Sequence, residues 1–278
     1  MIIFKQARQL TTYLLKQKAS GKKIGFVPTM GALHQGHLEL IAQSNAGNDL
    51  TVCSIFVNPT QFNNPEDFQK YPKTLERDIE LLIGAGCSIL FTPVKEEVYP
   101  ANYVPPHYDL GYLENILEGF HRPGHFQGVC QVVDLLLNIV HPHNLYLGQK
   151  DYQQCMVLSR LLEIRGSQEH LHFVPTKREA DGLAMSSRNL RLNATQREIA
   201  TTIYSVLQYI RQNINTYLIP DLLLAGRQKL EEKGFTVDYV AICNAETLQE
   251  AHSVSEPLIS LIAASLDTIR LIDNERLN

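Results

Sequence analysis

Long apolar stretches are missing from this chain of 278 residues. No run approaches the roughly 18 uninterrupted apolar residues of a membrane-spanning helix, and the start of the chain, MIIFKQARQL, lacks the continuous apolar core of a signal peptide. We therefore expect a cytoplasmic protein with no membrane partner. A composition of 44% hydrophobic and 19% charged residues is typical of a globular protein rather than a disordered one.

An excess of basic residues is also missing. The chain has 25 Lys and Arg against 29 Asp and Glu, which gives a formal net charge of −4. Such a balance gives no overall attraction to nucleic acid or to an anionic membrane, so we expect no nucleic-acid partner.

Paired cysteines are absent as well. The five cysteines are odd in number, widely spaced and mostly within apolar runs, and no C-x-x-C occurs. This distribution favours buried thiols in a reducing compartment over disulfides or a catalytic thiol.

Two common phosphate-binding motifs do not occur. The chain has no G-x-x-x-x-G-K-[ST], which disfavours a P-loop NTPase, and GAGCS at residues 84–88 fails the G-x-G-x-x-G pattern and precedes a predicted strand. Phosphate binding in this chain would have to come from another loop.

The segment PTMGALHQGH, residues 28–37, is the best candidate for that loop. Residues 23–27 before it predict a buried strand, and an apolar helical pattern begins at Leu38. A glycine-containing loop between strand and helix directs unpaired backbone N–H groups toward a ligand. His34 and His37 can face the same side and donate hydrogen bonds to phosphate oxygens. Alternatively, one histidine caps the helix and the other lies on the surface; zinc is a weaker interpretation, because the pattern is not H-E-x-x-H.

Strand and helix patterns alternate along the first part of the chain. Strands are predicted at residues 50–57, 87–91, 145–147 and 171–174, and helices at residues 6–17, 74–83, 129–140 and 155–164. This order implies an α/β fold with a parallel sheet covered on both faces.

The order of elements changes after Pro175. Helices are predicted at residues 195–213 and 221–233, followed by strands at residues 236–242, 258–264 and 268–272. We therefore predict one domain over residues 1–175 and a smaller α+β domain over residues 176–278.

Polar residues follow two predicted strands, at the edge where parallel sheets bind ligands. Asn58 and Gln61 can orient hydroxyl and carboxylate groups of a small substrate, or form only a turn. Lys150 can hold phosphate charge, and Asp151 can bind a hydrated magnesium ion or a ribose hydroxyl. The alternative for this second pair is a solvated ion pair that contributes little.

Two more segments combine basic and hydrogen-bonding side chains. GFHRPGHFQG, residues 119–128, carries Arg122 and His125 and can fold over an acidic ligand, or form a turn around packed aromatic residues. MSSRN, residues 185–189, can grip a polyphosphate as a mobile loop, or cap the following helix.

Six segments together resemble the pantoate–β-alanine ligase family, the pantothenate synthetases. They are PTMGALHQGH, FVNPTQF, EGFHRPGHFQGV, LGQKDYQQ, READGLAMSSRNL and a terminal RLIDN, in the family's order and approximate spacing over nearly the whole chain. The resemblance implies a Rossmann-like nucleotidyltransferase domain for ATP and pantoate, and a C-terminal domain that serves as lid and phosphate clamp. It also implies a cytoplasmic homodimer.

The activity that the resemblance implies is an ATP-dependent ligation in pantothenate biosynthesis, which supplies the precursor of coenzyme A. Pantoate attacks the α-phosphate of ATP to give pantoyl adenylate and pyrophosphate, and β-alanine then displaces AMP. Mg²⁺ is the expected ion. An adenylation of this kind needs no enzyme nucleophile, because the substrate carboxylate attacks directly.

The resemblance also implies roles for individual residues. The implied catalytic residues are His34, His37, Lys150, Ser186, Ser187 and Arg188. The implied ATP-binding residues are Met30, His37, Gly148, Lys150, Asp151, Met185, Ser186, Ser187 and Arg188. The implied pantoate-binding residues are Met30, Asn58, Gln61, Tyr71, Arg122, His125 and Gln154. Asp78 corresponds to a carboxylate near the metal.

Two other functions stay open at the level of the sequence. A nucleotidyltransferase that makes a stable adenylylated product would share the histidine loop, but would not explain the paired Gln61 and Gln154 or the long C-terminal unit. A nucleotide-binding regulator without turnover would need fewer phosphate-binding groups than Lys150 and residues 186–188 supply. Release of AMP with pantothenate separates the ligase from both.

Overall fold

The computed structural model of the chain describes residues 1–62 and 65–278, which divide into two compact units. The N-terminal unit comprises Met1–Gln149 and Gln153–Pro175, and the C-terminal unit comprises Lys150–Tyr152 and Thr176–Asn278. The C-terminal unit therefore includes a short segment from the middle of the sequence that the predicted division at residue 175 had assigned elsewhere. Separate functional roles for residues 1–175 and 176–278 stay a prediction.

Strands and helices alternate along the N-terminal unit. The strands are β1 (Ile2–Phe4), β2 (Ile24–Thr29), β3 (Leu50–Ile55), β4 (Ile89–Phe91), β5 (Asn144–Gly148) and β6 (His170–Val174). The helices are α1 (Ala7–Ala19), α2 (Gln35–Gly47), α3 (Pro65–Gln69), α4 (Leu75–Gly84), α5 (Lys95–Val98), α6 (Leu117–His121), α7 (His125–Val140) and α8 (Tyr152–Arg165). Short 3₁₀ turns cover Pro59–Gln61, Gly111–Glu114 and Gln149–Asp151.

The strands form one parallel sheet in the order β1-β4-β3-β2-β5-β6. Successive side chains of a strand point to opposite faces, and the neighbours Phe26 and Val27 of β2 are both 0% exposed. The sheet is thus covered on both faces, which confirms the predicted Rossmann-like α/β fold. The chain order reverses between β2 and β5, and ligands of such sheets bind at the carboxyl ends of the strands at this switch point.

Helices α1 and α7 show how the apolar faces are used. Leu10 and Leu14 of α1 are buried, whereas Leu15 is 49% exposed. Helix α7 buries Phe126, Val133 and other apolar residues, and at 16 residues it is shorter than a membrane span requires. None of the helices in the described part of the chain is long and apolar enough to cross a membrane.

All five cysteines are buried free thiols, as the sequence predicts. Burial raises the pKa of Cys87 to about 11 and the pKa of Cys130 and Cys243 to about 12. Burial also raises the pKa of Cys53 well above its ordinary value. A thiolate is therefore disfavoured at these positions at neutral pH, which suits small packing residues.

The C-terminal unit places three helices beside an antiparallel sheet. Its elements are α9 (Ala194–Ala200), α10 (Thr202–Asn213), α11 (Ile219–Glu231), β7 (Thr236–Asn244), β8 (Leu258–Leu266) and β9 (Ile269–Arg276), and the strand order is β7-β8-β9. The single helix predicted over residues 195–213 is wrong, because the chain turns at Thr201. There the backbone N–H and the hydroxyl both donate to the Glu198 carbonyl, at 3.3 and 2.7 Å, and tighten the helix end.

Helix α7 approaches the turn after β3 closely enough to require glycine. A Cβ atom on Gly128 would lie 2.5 Å from the carbonyl oxygen of Thr60 and 3.0 Å from the backbone nitrogen of Gln61. Asn58 donates from Nδ2 to the Gly128 carbonyl at 3.2 Å, which ties the turn to the helix. The backbone that carries Gln61 is thus positioned by its contact with α7.

We predict that Gly128→Ala destabilises the protein by about 2 kcal/mol, because backbone atoms must move to admit the methyl group. Gly84→Ala is the matched control, since a Cβ there has no atom within 4 Å and the residue is helical. Urea unfolding midpoints of both variants and the wild type measure the difference. A Gly128→Ala midpoint equal to that of Gly84→Ala would contradict the tight contact.

Candidate active site

Helix α2 begins with two histidines that cap it reciprocally. His34 is the N-cap residue, and its Nδ1 accepts from the backbone N–H of Gly36 at 3.1 Å. The Nδ1 of His37 accepts from the backbone N–H of His34 at 3.3 Å. The two rings lie 4.0 Å apart between centroids. Imidazoles here take the places that Ser or Thr and Glu or Gln occupy in a capping box.

This capping arrangement determines which ring nitrogen carries the proton. A nitrogen that accepts from a backbone N–H has no proton of its own, so each neutral ring carries its proton on Nε2. An Nε2–H is a hydrogen-bond donor of the kind that phosphate oxygens accept. Sequence alone left capping and phosphate binding as alternatives, and this geometry makes them compatible. Phosphate binding by His34 and His37 stays a prediction.

The loop before α2 is held by a buried carboxylate. Gly31 and Ala32 both have positive φ, +82° and +49°, and such a conformation strains a residue other than glycine. Asp78, at the start of α4 and only 1% exposed, accepts from the backbone N–H groups of Ala32 at 2.9 Å and Leu33 at 2.8 Å. It also accepts from the hydroxyl of Thr74 at 3.1 Å. These bonds stabilise the loop that leads into the histidine cap.

The same contacts bear on the predicted metal role of Asp78. Both carboxylate oxygens already accept hydrogen bonds from the chain, and the described residues contain no group of three His, Cys, Asp or Glu that could hold a metal ion. These residues do not fit a magnesium site built by the protein, which requires near-octahedral oxygen ligands. The geometry favours loop anchoring for Asp78, and its contact with a metal stays a prediction.

The polar residues after β3 form a connected group. Asn58, which is 1% exposed, donates from Nδ2 to Oε1 of Gln61 at 3.3 Å. Gln61 in turn donates from Nε2 to the sulfur of Met30 at 2.9 Å. The structure thus brings together three of the residues implied for pantoate, and the hydrogen bonds fix the side chain of Gln61 beside the end of β2.

Arg122 and His125 act on the backbone of Gln61. The Nδ1–H of His125 donates to the Gln61 carbonyl at 2.8 Å, which leaves Nε2 to accept from Nη1 of Arg122 at 3.1 Å. Arg122 also donates from Nη2 to that carbonyl at 3.4 Å. Both residues therefore position Gln61, and their own contacts with pantoate stay predictions.

Sequence reasoning missed Tyr99, which belongs to this group. Its hydroxyl donates to Oδ1 of Asn58 at 2.8 Å, and burial raises its pKa. No local motif marks this tyrosine, because it reaches Asn58 across 41 positions of sequence. A recognisable motif around Tyr99 would have been needed to predict its role from the sequence.

The remaining residues implied for pantoate lie in the loop between α3 and α4 and on α8. Tyr71 is 7% exposed and packs edge-on against Phe62, with ring centroids 5.8 Å apart. Gln154 lies partly buried in the first turn of α8. Its neighbour Gln153 has a structural role. The side chain of Gln153 accepts from the N–H of Glu118 and donates to the carbonyls of Leu113 and Ile116. Contacts of Tyr71 and Gln154 with pantoate stay predictions.

Gly148 ends β5 at the switch point of the sheet. A Cβ atom there would meet no atom within 4 Å, so the backbone borders open space. Strand β2, which leads into Met30 and the histidine loop, pairs with β5 directly. A ligand can therefore approach the backbone at the end of β5, as the predicted nucleotide contact of Gly148 requires.

The other residues implied for the phosphates lie in the C-terminal unit. The side chain of Lys150 is 15% exposed, and its Nζ lies 3.7 Å from Oδ1 of Asp151. The ion pair between these two residues is therefore not fully solvated. Ser186 caps the 3₁₀ turn Ser187–Arg191 by accepting from the N–H of Arg188 at 3.3 Å. The backbone N–H of Met185 donates to the Lys177 carbonyl at 3.0 Å. Their phosphate contacts stay predictions.

We predict that Asp78→Asn destabilises the protein by about 2 kcal/mol, because an amide has one acceptor oxygen for a site with two backbone donors. Asp49→Asn is the control, since the exposed Asp49 accepts a single backbone bond from Lys23. Urea unfolding and hydrogen exchange at the amides of Ala32 and Leu33 measure the effect. Equal midpoints and unchanged exchange would show that Asp78 does not anchor the loop.

Comparison with known proteins gives matches over almost the whole chain. The family profile described as Pantoate-beta-alanine ligase matches residues 2–276. The chain is 44% identical to a pantothenate synthetase of Cytophaga hutchinsonii over 281 residues, covering 99% of this chain and 98% of the relative. It is 43% identical to a pantothenate synthetase of Pseudomonas fluorescens Pf0-1 over 277 residues, covering 99% and 97%.

Solved structures give the same result. The crystal structure of pantothenate synthetase from Thermus thermophilus superposes with a TM-score of 0.94 at 39% identity, covering 100% of this chain and 99% of that one. The pantoate-beta-alanine ligase from Francisella tularensis, complexed with beta-gamma ATP and beta-alanine, gives a TM-score of 0.85 at 38% identity, covering 100% and 98%. With residues 2–276 matched by the family profile and relatives 44% and 43% identical over 99% of the chain, the chain belongs to the pantoate–β-alanine ligase family.

Proposed function

We propose that this chain condenses pantoate with β-alanine in an ATP-dependent reaction that yields pantothenate, AMP and pyrophosphate through a pantoyl adenylate. The single observation that carries the proposal at the level of geometry is the histidine pair at the start of α2. Both rings accept from the backbone at Nδ1, so in their neutral form both have an Nε2–H to donate. The family match over residues 2–276 supports the same reaction.

In the first step a carboxylate oxygen of pantoate bonds to the α-phosphorus, and the bond from that phosphorus to the pyrophosphate oxygen breaks. The protein contributes alignment and positive charge rather than a nucleophile. We assign donation to the α-phosphate oxygens to His34 and His37. The triphosphate is assigned to Lys150 and to residues 185–188, and the nucleotide to Gly148 and Asp151. Loss of one such donor removes roughly 3 kcal/mol of transition-state stabilisation.

Pantoate is assigned to the side-chain amides of Gln61 and Gln154. Gln61 is supported by its bonds to Met30, Asn58 and His125, so its amide is preorganised to bind the hydroxyl and carboxylate of the acid. Gln154 is the second amide of the pair. Tyr71 and Arg122 are assigned to the surroundings of the same substrate.

In the second step the neutral amine nitrogen of β-alanine bonds to the acyl carbon of pantoyl adenylate, the bond from that carbon to the AMP oxygen breaks, and the proton lost from nitrogen passes to solvent. We assign no general base to this step, because binding the neutral amine next to the acyl carbon suffices for attack. The leaving phosphate remains a partner of the same histidine donors.

We propose that Mg²⁺ accompanies ATP, bound to its phosphates and to water. The described residues do not fit a protein-built magnesium site, and a magnesium ion that keeps several waters and substrate phosphates needs none. Asp151, whose side chain is 46% exposed, is the candidate to contact this hydrated ion. A cytoplasmic homodimer is part of the same proposal.

Incubation with ATP, pantoate and β-alanine tests the reaction. We expect AMP and pantothenate in equal amounts, and no AMP without pantoate. A stable adenylylated product would support a nucleotidyltransferase instead, and the absence of turnover would support a nucleotide-binding regulator.

Two substitutions of His34 separate capping from catalysis. His34→Asn is expected to keep the helix cap, because asparagine is among the best N-cap residues, whereas His34→Ala loses about 1 kcal/mol of stability. Both remove the Nε2–H, so both are expected to lower kcat by about 10² to 10³. Lys150→Ala is expected to lose a similar factor. Near-normal turnover of the stable His34→Asn variant would overturn the assignment.

Gly148→Ala tests the nucleotide side of the site. The methyl group meets no atom of the chain within 4 Å, so folding stability should stay near the wild-type value. A nucleotide lying against that backbone would collide with it, and we expect the KM for ATP to rise by about tenfold or more. Gly84→Ala again serves as the control. An unchanged KM for ATP would show that the nucleotide does not contact Gly148.

A further inference from the structure

The terminal RLIDN segment and the READG segment meet in a buried ion pair of the C-terminal unit. Arg178 donates from Nη1 to Oδ2 of Asp273 at 2.6 Å and from Nη2 to Glu275 at 3.1 Å. Asp273 is 4% exposed. Burial raises the pKa of the Asp273 carboxyl, and the Arg178 guanidinium opposes that shift. The guanidinium also lies over the ring of Tyr204, 4.5 Å from its centroid.

Asn274 connects this ion pair to the segment that carries Lys150. Its backbone carbonyl accepts from Nη2 of Arg178 at 3.0 Å, and its backbone N–H donates to Oδ1 of Asp273 at 2.8 Å. Its side chain donates from Nδ2 to the carbonyl of Lys150 at 2.8 Å. The backbone of Lys150 is thereby fixed to β9.

A second attachment follows two residues later. The hydroxyl of Tyr152 donates to the Ala245 carbonyl at 2.6 Å and accepts from Nη2 of Arg276 at 3.3 Å. These bonds explain why Lys150–Tyr152 groups with the C-terminal unit. The segment is joined to β9 and to the residue that follows β7, at one end of the antiparallel sheet.

Arg178 also belongs to the hairpin that leads into residues 186–188. It forms an isolated β-bridge with Ala184, and its Nη1 donates to the Gly182 carbonyl at 3.2 Å. Beyond the bridge, Asn189 donates from Nδ2 to the Ala184 carbonyl at 3.0 Å. The loop of residues 186–188 is thus held at its base by the same arginine that contacts Asp273 and Asn274.

We propose that Arg178, Asp273 and Asn274 form a hub that sets the position of Lys150 relative to residues 186–188. This inference rests on the proposed function for its claim that both segments bind the phosphates of ATP. The three hub residues are positioning residues, because each acts through the backbone of another segment. They hold the Lys150 segment and residues 186–188 on one framework, which fixes the spacing between these two segments.

Two substitutions loosen the Lys150 segment without breaking the buried ion pair. Asn274→Ala removes the bond to the Lys150 carbonyl, and Tyr152→Phe removes the second attachment while it keeps the ring. Arg178→Lys keeps the charge but loses the fork of donors that reaches the hairpin and β9 together. Arg270→Lys is the matched control, because Arg270 pairs with Asp238 at 2.7 Å between β9 and β7, away from the hub.

Hydrogen exchange of the ligand-free protein, followed by mass spectrometry, measures how firmly each segment is held. Asn274→Ala and Tyr152→Phe should speed exchange over residues 148–154 by about tenfold, the effect of one hydrogen bond. Arg178→Lys should speed exchange over residues 177–189 as well, and Arg270→Lys over neither. Unchanged exchange in both segments would overturn the hub.

Steady-state kinetics supply the second readout. We expect the KM for ATP to rise by about tenfold in Asn274→Ala and Arg178→Lys, with the KM for β-alanine within about twofold of wild type. Equal rises in both KM values would overturn the positioning role. If the proposed function is wrong, the wild-type protein will show no pantoate-dependent release of AMP. The exchange experiment does not depend on that activity, so the two failures are distinguishable.

Discussion

The reciprocal hydrogen bonds between two imidazoles and the first turn of α2 are the interaction on which the rest of the site depends. They satisfy backbone N–H groups that a helix start leaves unpaired, and they decide that the proton of each neutral ring lies on Nε2. Had the rings capped through Nε2 or not at all, the donors would have pointed elsewhere. The same pair of side chains therefore caps the helix and is proposed to bind phosphate.

That cap depends on the loop before it, and the loop depends on Asp78. Two consecutive residues with positive φ, Gly31 and Ala32, bring the chain from β2 into α2, and the buried carboxylate of Asp78 holds the N–H groups of Ala32 and Leu33. A charged acceptor suits this position, because it can bind two backbone donors at once. The same logic recurs at Gln61, whose carbonyl binds both His125 and Arg122. The loop before α2 and the turn that carries Gln61 are thus held through their backbone groups.

Local sequence patterns predicted the fold class and most of the strands and helices, but they did not predict the long-range contacts. A run of apolar residues, a glycine-containing loop and a helical period suffice to place His34 and His37 at a helix start, and repeated strand–helix order suffices for a parallel sheet. Strand β1 spans three residues and helix α5 four, which is too short for any period to show. Asp78 reaches Ala32 across 46 positions and Asn274 reaches Lys150 across 124, and no local pattern encodes such pairings. The resemblance to the pantoate–β-alanine ligase family therefore indicates the candidate site residues, and the structure shows how they are held.

The central claim is that His34 and His37 are Nε2–H donors facing the phosphates of ATP. Nitrogen NMR of the histidine rings, with the protein labelled at histidine, measures this directly through the coupling of each ring proton to its nitrogen. We expect both rings to be neutral with the proton on Nε2, and both Nε2 resonances to shift when ATP is added. Protons on Nδ1, or Nε2 chemical shifts that do not change when ATP is added, would contradict the account.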